Sequence, residues 1–167
     1  MEYISDSIRS KVALEIPSSF DSLKKKYRFG KSNQIGKKSS FGRVYIIDRE
    51  RVGKVLNFDG FEEIREEYFA QKISNELGFP VLKAHELVLA YNEDLKTREP
   101  MLVMEYGGKR RLLDEEITNE MYMKFLEASS KVKKYLDIGS WEIAHRNAFW
   151  DDLEKKVSLF DCGSWCF

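Results

Sequence analysis

Hydrophobic positions change their spacing several times along the chain, and each spacing predicts a different kind of element. From position 33 onward, short runs rich in β-branched residues alternate with polar turns. Runs of this kind predict strands. Ile35, residues 44–47 and residues 52–56 predict a three-stranded meander, and residues 87–91 and 101–106, separated by the polar stretch 92–99, predict a hairpin. The expected sheet therefore has five strands.

Three stretches have helical spacing. Phe20, Leu23 and Tyr27 predict an N-terminal helix over 19–27 that ends toward Gly30. Residues 59–62 have the spacing of a capping box and predict the start of a helix of about four turns. Its expected stripe is Phe69, Ala70, Ile73 and Leu77, and its stop signals are Gly78 and Pro80. After Asp114 the recurrence of Met121, Phe125, Val132 and Leu136 predicts a third helix.

The last thirty residues predict one more hairpin, with strands at 148–150 and 157–160 around a turn at 151–156. Strands and helices together make the predicted fold class α+β. The alternation of elements shows no internal repeat.

Composition excludes several classes of function. Lysine plus arginine and aspartate plus glutamate number 28 each, so the formal net charge is zero and no nucleic-acid partner is expected. The first thirty residues lack the apolar stretch of a signal peptide, and no run has the length of a membrane span. We therefore expect a soluble cytoplasmic protein without a membrane partner. Cys162 and Cys166 are expected to be reduced thiols, because neither histidine stands at the spacing of a zinc finger.

The order of the predicted elements resembles that of protein kinases, and a glycine-rich turn carries the first part of the resemblance. Residues 35–36 and 40–44 are similar to the family's loop over the nucleotide phosphates. The turn is one residue longer than the family's and has Ser39 at the place of a central glycine. The resemblance implies nucleotide contacts from Gly36, Ser40, Phe41, Gly42 and Val44.

The next strand contains Val52 and Lys54, which lie two residues apart and so share one face. In the family such a lysine contacts the α- and β-phosphates and is held by a helix glutamate. The resemblance implies this role for Lys54, with Glu66 as the first choice of partner because the apolar stripe begins three residues after it. Glu67 is the second choice. Glu62 and Glu63 are expected to be cap and surface residues.

Residues 102–108 resemble the last strand of the family's small lobe and the hinge that follows. The resemblance implies that backbone groups of Glu105, Tyr106 and Gly107 read the adenine edge. It also implies that the Met104 side chain forms the back of the pocket.

Asp161, followed by Cys162 and Gly163, is similar to the family's metal-binding Asp-Phe-Gly. Asn147 precedes it by a hairpin's length and matches the second metal ligand, so the resemblance implies Mg²⁺ or Mn²⁺ at these two residues. Five residues before Asn147, Glu142 replaces the expected catalytic aspartate. An alternative register makes residues 145–147 the His-Arg-Asp motif and Asp152 the metal residue, but it leaves too little chain for the hairpin.

The resemblance implies a two-lobe kinase-like fold. Its parts are an N-terminal helical extension at 1–31, an N-lobe of five strands and one helix at 32–106, and a strongly truncated helical C-lobe at 107–167. Because only six residues of the sequence follow Asp161, we expect neither the activation segment nor the peptide-docking helices of typical kinases. The plan is similar to that of small bacterial effector kinases, which are delivered into a host cell.

Three functions stay open at this point. The first is an ATP-dependent phosphotransferase that acts on a serine, threonine or tyrosine hydroxyl of a protein. The second is a pseudokinase-like module that binds nucleotide or a partner protein without phosphate transfer. The third is a small α+β protein whose motif matches are accidental.

Overall fold

Two β-sheets and three helices make up the part of the chain that the computed structural model describes, which is residues 6–35, 42–57, 60–106, 110–112, 116–136, 143 and 147–160. The helices are α1 (Asp6–Glu15), α2 (Phe61–Glu76) and α3 (Asn119–Leu136). The strands are β1 (Lys25–Phe29), β2 (Gln34–Ile35), β3 (Gly42–Ile46), β4 (Arg51–Leu56), β5 (Ala84–Asn92), β6 (Thr97–Glu105), β7 (Arg110–Arg111), β8 (Ala148–Asp151) and β9 (Lys156–Leu159). The α+β class is confirmed.

The larger sheet has six strands in the order β1-β5-β6-β4-β3-β2. The predicted meander is confirmed as the antiparallel ladder β2, β3 and β4, and the predicted hairpin is confirmed as β5 and β6. The expected count of five strands is wrong, because β1 adds a sixth strand parallel to β5.

That sixth strand lies where the sequence predicted a helix. Residues 19–27 form a short 3-10 turn at Phe20–Ser22 and then enter β1. Phe29 is buried in a hydrophobic cluster on one face of the large sheet, and the half-buried Tyr27 packs against this cluster. The predicted helix over 19–27 is therefore wrong, and the N-terminal extension contains both a helix, α1, and a strand, β1.

The two faces of the large sheet are both covered. One face packs against α2 and α1 in the main hydrophobic cluster, which includes Val44, Val52, Leu102 and Met104. On the other face, Phe29 of β1 meets Tyr45 of β3 with ring centroids 4.7 Å apart. Several strands separate β1 from β3 in the sheet order. The contact therefore requires the sheet to curve until these two strands meet across a hydrophobic cluster on this face.

Helix α2 buries a face that is partly polar. The helix is confirmed where the sequence predicted it, and Gly78 ends it with φ +72°. Its N-cap is Gly60, which makes no side-chain cap, so the predicted capping box is wrong. Buried members of the face are Ile64, Glu67, Tyr68, Ala70, Gln71, Ile73 and Ser74.

The second sheet has the order β7-β8-β9 and packs against α3. The hairpin of β8 and β9 and the helix α3 are confirmed. The sequence predicted a helix and a two-stranded hairpin here but not the third strand: the charged segment Arg110–Arg111 pairs with β8 and completes a three-stranded sheet. Within the described helices, none is both long enough and apolar enough to cross a membrane.

The chain after α2 connects the two sheets. The backbone N–H of Leu82 donates to the carbonyl of Leu159 at 2.8 Å, and the N–H of Leu159 donates to the carbonyl of Pro80 at 2.7 Å. Strand β9 thus makes hydrogen bonds both to its own sheet and to the segment that leads into β5. These bonds fix the C-terminal hairpin against the N-terminal sheet.

Candidate functional site

Lys54 and Glu67 form a buried ion pair between strand β4 and helix α2. The Lys54 Nζ donates to Glu67 Oε1 at 2.7 Å, and the two side chains are only 4% and 3% exposed. Two charges at this depth lose most of their hydration, so each depends on the other and on nearby polar groups. The pair is the starting point of the candidate site.

The structure corrects the predicted partner of Lys54. Glu66 is exposed, and Glu67, the second choice, makes the ion pair. The apolar stripe misled the prediction because the buried face of α2 also carries Gln71 and Ser74, at i+4 and i+7 from Glu67. If these buried polar residues are assumed to be exposed, the predicted buried face of the helix shifts by one residue. The same spacing of polar residues is the signal that could have identified Glu67.

Lys54 lies on an inner strand of the large sheet, between β3 and β6. Val44 of β3 and Leu102 of β6 lie directly beside it in the ladder. Val52 is buried in the cluster against α2, so the prediction that Val52 and Lys54 share a face is confirmed.

Gly42 gives strand β3 its close approach to the lysine. A Cβ at position 42 would lie 3.1 Å from the Lys54 Cε and 3.1 Å from the Val55 carbonyl oxygen. A larger residue would therefore press on the lysine side chain.

Met104 belongs to the same hydrophobic cluster as Val44 and Val52, and Tyr106 packs against this cluster. Two aromatic residues of the C-terminal hairpin, which the sequence did not single out, join them there. Phe149 is fully buried, and its ring centroid lies 5.5 Å from that of Tyr106 and 5.1 Å from that of Phe160. Residues from both sheets thus meet at the end of the Lys54 face.

The end of β6 uses its backbone N–H groups within the protein. Glu105 donates to the Lys83 carbonyl at 2.9 Å, and Tyr106 donates to the Glu50 carbonyl at 2.7 Å. Recognition of an adenine edge here would depend on carbonyl groups or on the amide of Gly107, which lies outside the described residues. The prediction that backbone groups of residues 105–107 read the adenine edge stays a prediction.

Asn147 lies across the C-terminal hairpin from the residue that precedes Asp161. Its carbonyl accepts from the N–H of Phe160 at 3.0 Å. The hairpin between them has both of its strands, which agrees with the register that makes Asn147 and Asp161 a pair. In the alternative register Asp152 would hold the metal, but Asp152 lies in the hairpin turn, where Arg110 donates to both of its carboxylate oxygens at 2.8 and 2.9 Å.

Several predicted site residues lie outside the described residues: Gly36, Ser40, Phe41, Gly107, Glu142 and Asp161. Among the described residues, no group of three or more His, Cys, Asp and Glu side chains is arranged to hold a metal ion. The metal ligands Asn147 and Asp161 stay a prediction from the sequence.

The described arrangement can present a cation to an anion. An ammonium group held by a carboxylate on one side keeps donor hydrogens in a fixed direction, and a phosphate oxygen is a suitable acceptor for them. The surrounding aliphatic and aromatic side chains would exclude water from such a contact. No protein-family model matches the chain, and no curated protein matches it significantly.

Proposed function

We propose that this protein is a small kinase-like phosphotransferase that binds ATP beside Lys54 and transfers its γ-phosphate to a hydroxyl group of a protein. The observation that carries the proposal is the buried pair of Lys54 and Glu67, joined at 2.7 Å between β4 and α2. A two-lobe reading of the fold belongs to the same proposal, with the large sheet and α2 as one lobe and α3 with the small sheet as the other.

The pair suggests function because a buried ion pair is a poor way to stabilise a core. Apolar residues of similar volume in its place are often as stable or more stable, since the charges lose their hydration. Lys54 and Glu67 lie among aliphatic neighbours that could accommodate such residues. A need for Lys54 to bind an anionic ligand would explain why the protein has this ion pair in place of apolar residues.

The position of Lys54 supports a nucleotide as that ligand. It follows the turn between β2 and β3, and Gly42 at the end of this turn lies close to the lysine side chain. A phosphate group bound beside Gly42 would lie within reach of the ammonium group. Val52 and Met104, on the same sheet face, would supply apolar surface for the base.

Asn147 and Asp161 fit a divalent cation as the second part of the proposal. Both side chains supply the hard oxygen atoms that Mg²⁺ or Mn²⁺ prefers, and the bond from Phe160 to Asn147 at 3.0 Å brings their chain segments together. The ion, when bound, would neutralise charge on the phosphates.

Glu142 is the proposed general base. In the transfer, the acceptor hydroxyl oxygen forms a bond to the γ-phosphorus while the bond from that phosphorus to the bridging oxygen of ADP breaks. The hydroxyl proton moves to the carboxylate of Glu142. This side chain is one methylene longer than an aspartate, and an error of about 1 Å in placing the base can lower a rate by about two orders of magnitude. A slow reaction is therefore expected.

Two measurements test the proposal. Addition of Mg-ATP should raise the melting temperature of the wild-type protein, and intact-protein mass should then record phosphate on the chain or on a partner. The Lys54→Met, Glu67→Leu double variant should fold but lose both effects, because it keeps the volume of the pair and removes its charges. Glu66→Gln is the matched control and should keep both. A double variant that responds to Mg-ATP as the wild type does would refute the proposal.

A second candidate is a module that binds a partner protein, with or without nucleotide, and transfers no phosphate. The packing of Phe149 between Tyr106 and Phe160 favours it, because these rings occupy the end of the Lys54 face where a base would bind. Stabilisation by ATP without any mass change, in the wild type and in Asp161→Ala alike, would support this candidate over the enzyme.

A further inference from the structure

A basic groove lies at the edge of the large sheet, on strands β1, β5 and β6. Its volume is about 300 Å³, and it is lined by Lys25, Lys26, Tyr27, Arg28, Tyr91 and Arg98. We call it the β1 groove. The β1 groove is separate from the site around Lys54. On strand β6, Lys54 pairs with Leu102, whereas the groove contains Arg98, which lies nearer the turn of the β5–β6 hairpin.

The backbone of β1 is irregular in a way that builds this groove. In a regular strand successive side chains point to opposite faces, yet residues 25–28 all line the β1 groove. The pairing with β5 shifts register between Lys25 and Arg28, and Tyr27 has φ +63°. A left-handed conformation is costly for a tyrosine, and such strain is commonly kept at functional sites.

Two exposed arginines of the groove lie against the ring of one tyrosine. Arg28, Tyr91 and Arg98 are direct neighbours across three adjacent strands. The guanidinium carbons lie 5.0 Å and 5.6 Å from the centroid of the Tyr91 ring. A guanidinium that stacks on a ring keeps its N–H edges for other partners, and two such groups that flank one tyrosine suit an oxyanion.

The charge of the groove is only partly balanced. Lys26 pairs with Glu86 at 3.0 Å, and Arg28 lies 3.3 Å from Glu93 in a pair whose side chains are 70% and 56% exposed. Such an exposed pair is weak and exchanges readily for another anion. Within the described residues, Lys25 and Arg98 have no carboxylate oxygen within ion-pair distance.

We propose that the β1 groove binds a phosphorylated side chain of a partner protein. A phosphate monoester carries close to two negative charges and three acceptor oxygens, which match the donors of Arg28, Arg98 and Lys25. A nucleic-acid strand fits less well. The arginines already stack on Tyr91, which removes the platform for a base, and Glu86 and Glu93 beside the groove would repel a long polyanion.

Titration by two-dimensional amide NMR tests the proposal with four probes. These are N-acetyl phosphoserine N-methylamide, the corresponding phosphotyrosine derivative, inorganic phosphate and an eight-residue oligothymidylate, all at one ionic strength. A phosphoamino-acid probe should give saturable shifts at residues 25–28, 91 and 98. Arg28→Gln and Arg98→Gln should each weaken this binding about tenfold or more, since each removes charge-assisted hydrogen bonds from an exposed position.

Two control variants make the result specific. Lys124→Gln and Lys131→Gln each remove an exposed cation of α3, so neither should change the affinity for the probe. The proposal is wrong if no probe gives saturable shifts at the groove or if Arg98→Gln binds as tightly as the wild type. It is also wrong if inorganic phosphate binds as tightly as the phosphoamino acids, or if the oligothymidylate binds more tightly than they do.

Discussion

At the scale of single residues, the Lys54–Glu67 pair gives the sharpest prediction of stability. Glu67→Gln removes the charged carboxylate that accepts from the buried Lys54 ammonium, and breaking a buried pair in this way typically costs about 3–5 kcal/mol. Glu66→Gln changes only an exposed side chain and should alter the free energy of unfolding by less than about 0.5 kcal/mol. Urea unfolding of the two variants measures the difference. Equal losses would mean that the ion pair is not formed in solution.

A double-mutant cycle on the same pair separates stability from function. Lys54→Met with Glu67→Leu should recover most of the free energy of unfolding that either single change removes, because both charges leave the core together. ATP binding should not recover. Recovery of both would show that the charges are not needed for the ligand, and recovery of neither would show that the pair fixes the geometry of β4 and α2.

Tyr68 gives a prediction of pH dependence. Burial raises the pKa of Tyr68 to about 12, and the carboxylates of Glu15 and Glu86 add to the shift. The phenol is thus neutral in the folded protein at a pH where it ionises in the unfolded chain, above about 10. Its contribution to stability is fully present below pH 10 and is lost as the pH rises toward 12.

Tyr68→Phe should therefore flatten the fall in stability between pH 10 and 12. The variant should also lose some stability at neutral pH, because the Tyr68 hydroxyl donates to the His85 carbonyl at 3.3 Å. Chemical denaturation at a series of pH values measures both effects. An unchanged slope in the variant would assign the alkaline loss to other groups.

The residues of the site could be predicted to different degrees. Lys54, Val52 and Val44 follow from strand alternation, because a period of two residues fixes which side chains share a face. Glu67 could not be chosen with certainty, since one position on a helix turns the side chain by about 100° and the deciding neighbours, Gln71 and Ser74, are polar. Only tertiary packing reveals that they are buried.

At the scale of elements, strand β4 contains a glycine whose replacement should be costly. A Cβ on Gly53 would lie within 3 Å of the buried Met101 side chain, 2.8 Å from its Cγ. Gly53→Ala should destabilise the protein by about 1–3 kcal/mol through overpacking. Adding Met101→Ala should make the effect of Gly53→Ala much smaller, and thermal unfolding of the four proteins measures the coupling. Strict additivity would contradict the contact.

Strand β1 shows why an element can be missed. Phe20, Leu23 and Tyr27 have helical spacing in the sequence, but the segment gains more from pairing with β5 and from burying Phe29 on the curled face of the sheet. Neither partner is near in sequence. The short strand β7 was missed for the same reason, because Arg110 and Arg111 have no apolar pattern and pair only through their backbone with β8.

At the scale of the whole molecule, the two sheets should unfold together. The bonds between Leu159 and residues 80–82 and the shared cluster around Phe149 cross from one sheet to the other. The amides of Leu82 and Leu159 should therefore exchange hydrogen only through global unfolding, with the same free energy of opening. Native-state hydrogen exchange measures this. A much lower value for Leu82 would mean that the C-terminal hairpin opens by itself.

The prediction from composition concerns the sum of the charges and not their distribution. The balanced charge gave no sign of the β1 groove, where four cations meet on adjacent strands. Net charge sums over a surface, and only the register of β1 with β5 brings Arg28, Tyr91 and Arg98 into one row.

The backbone link between Leu82 and Leu159 also has a consequence for synthesis of the chain. Leu159 follows Leu82 by 77 residues, so at about 5–20 residues per second the ribosome adds it roughly 4–15 s later. During this interval the nascent N-terminal sheet has an unpaired donor at Leu82 and an unpaired acceptor at Pro80. A chaperone or a neighbouring nascent chain could pair with them first, so the yield of folded protein should depend on the speed of translation after α3.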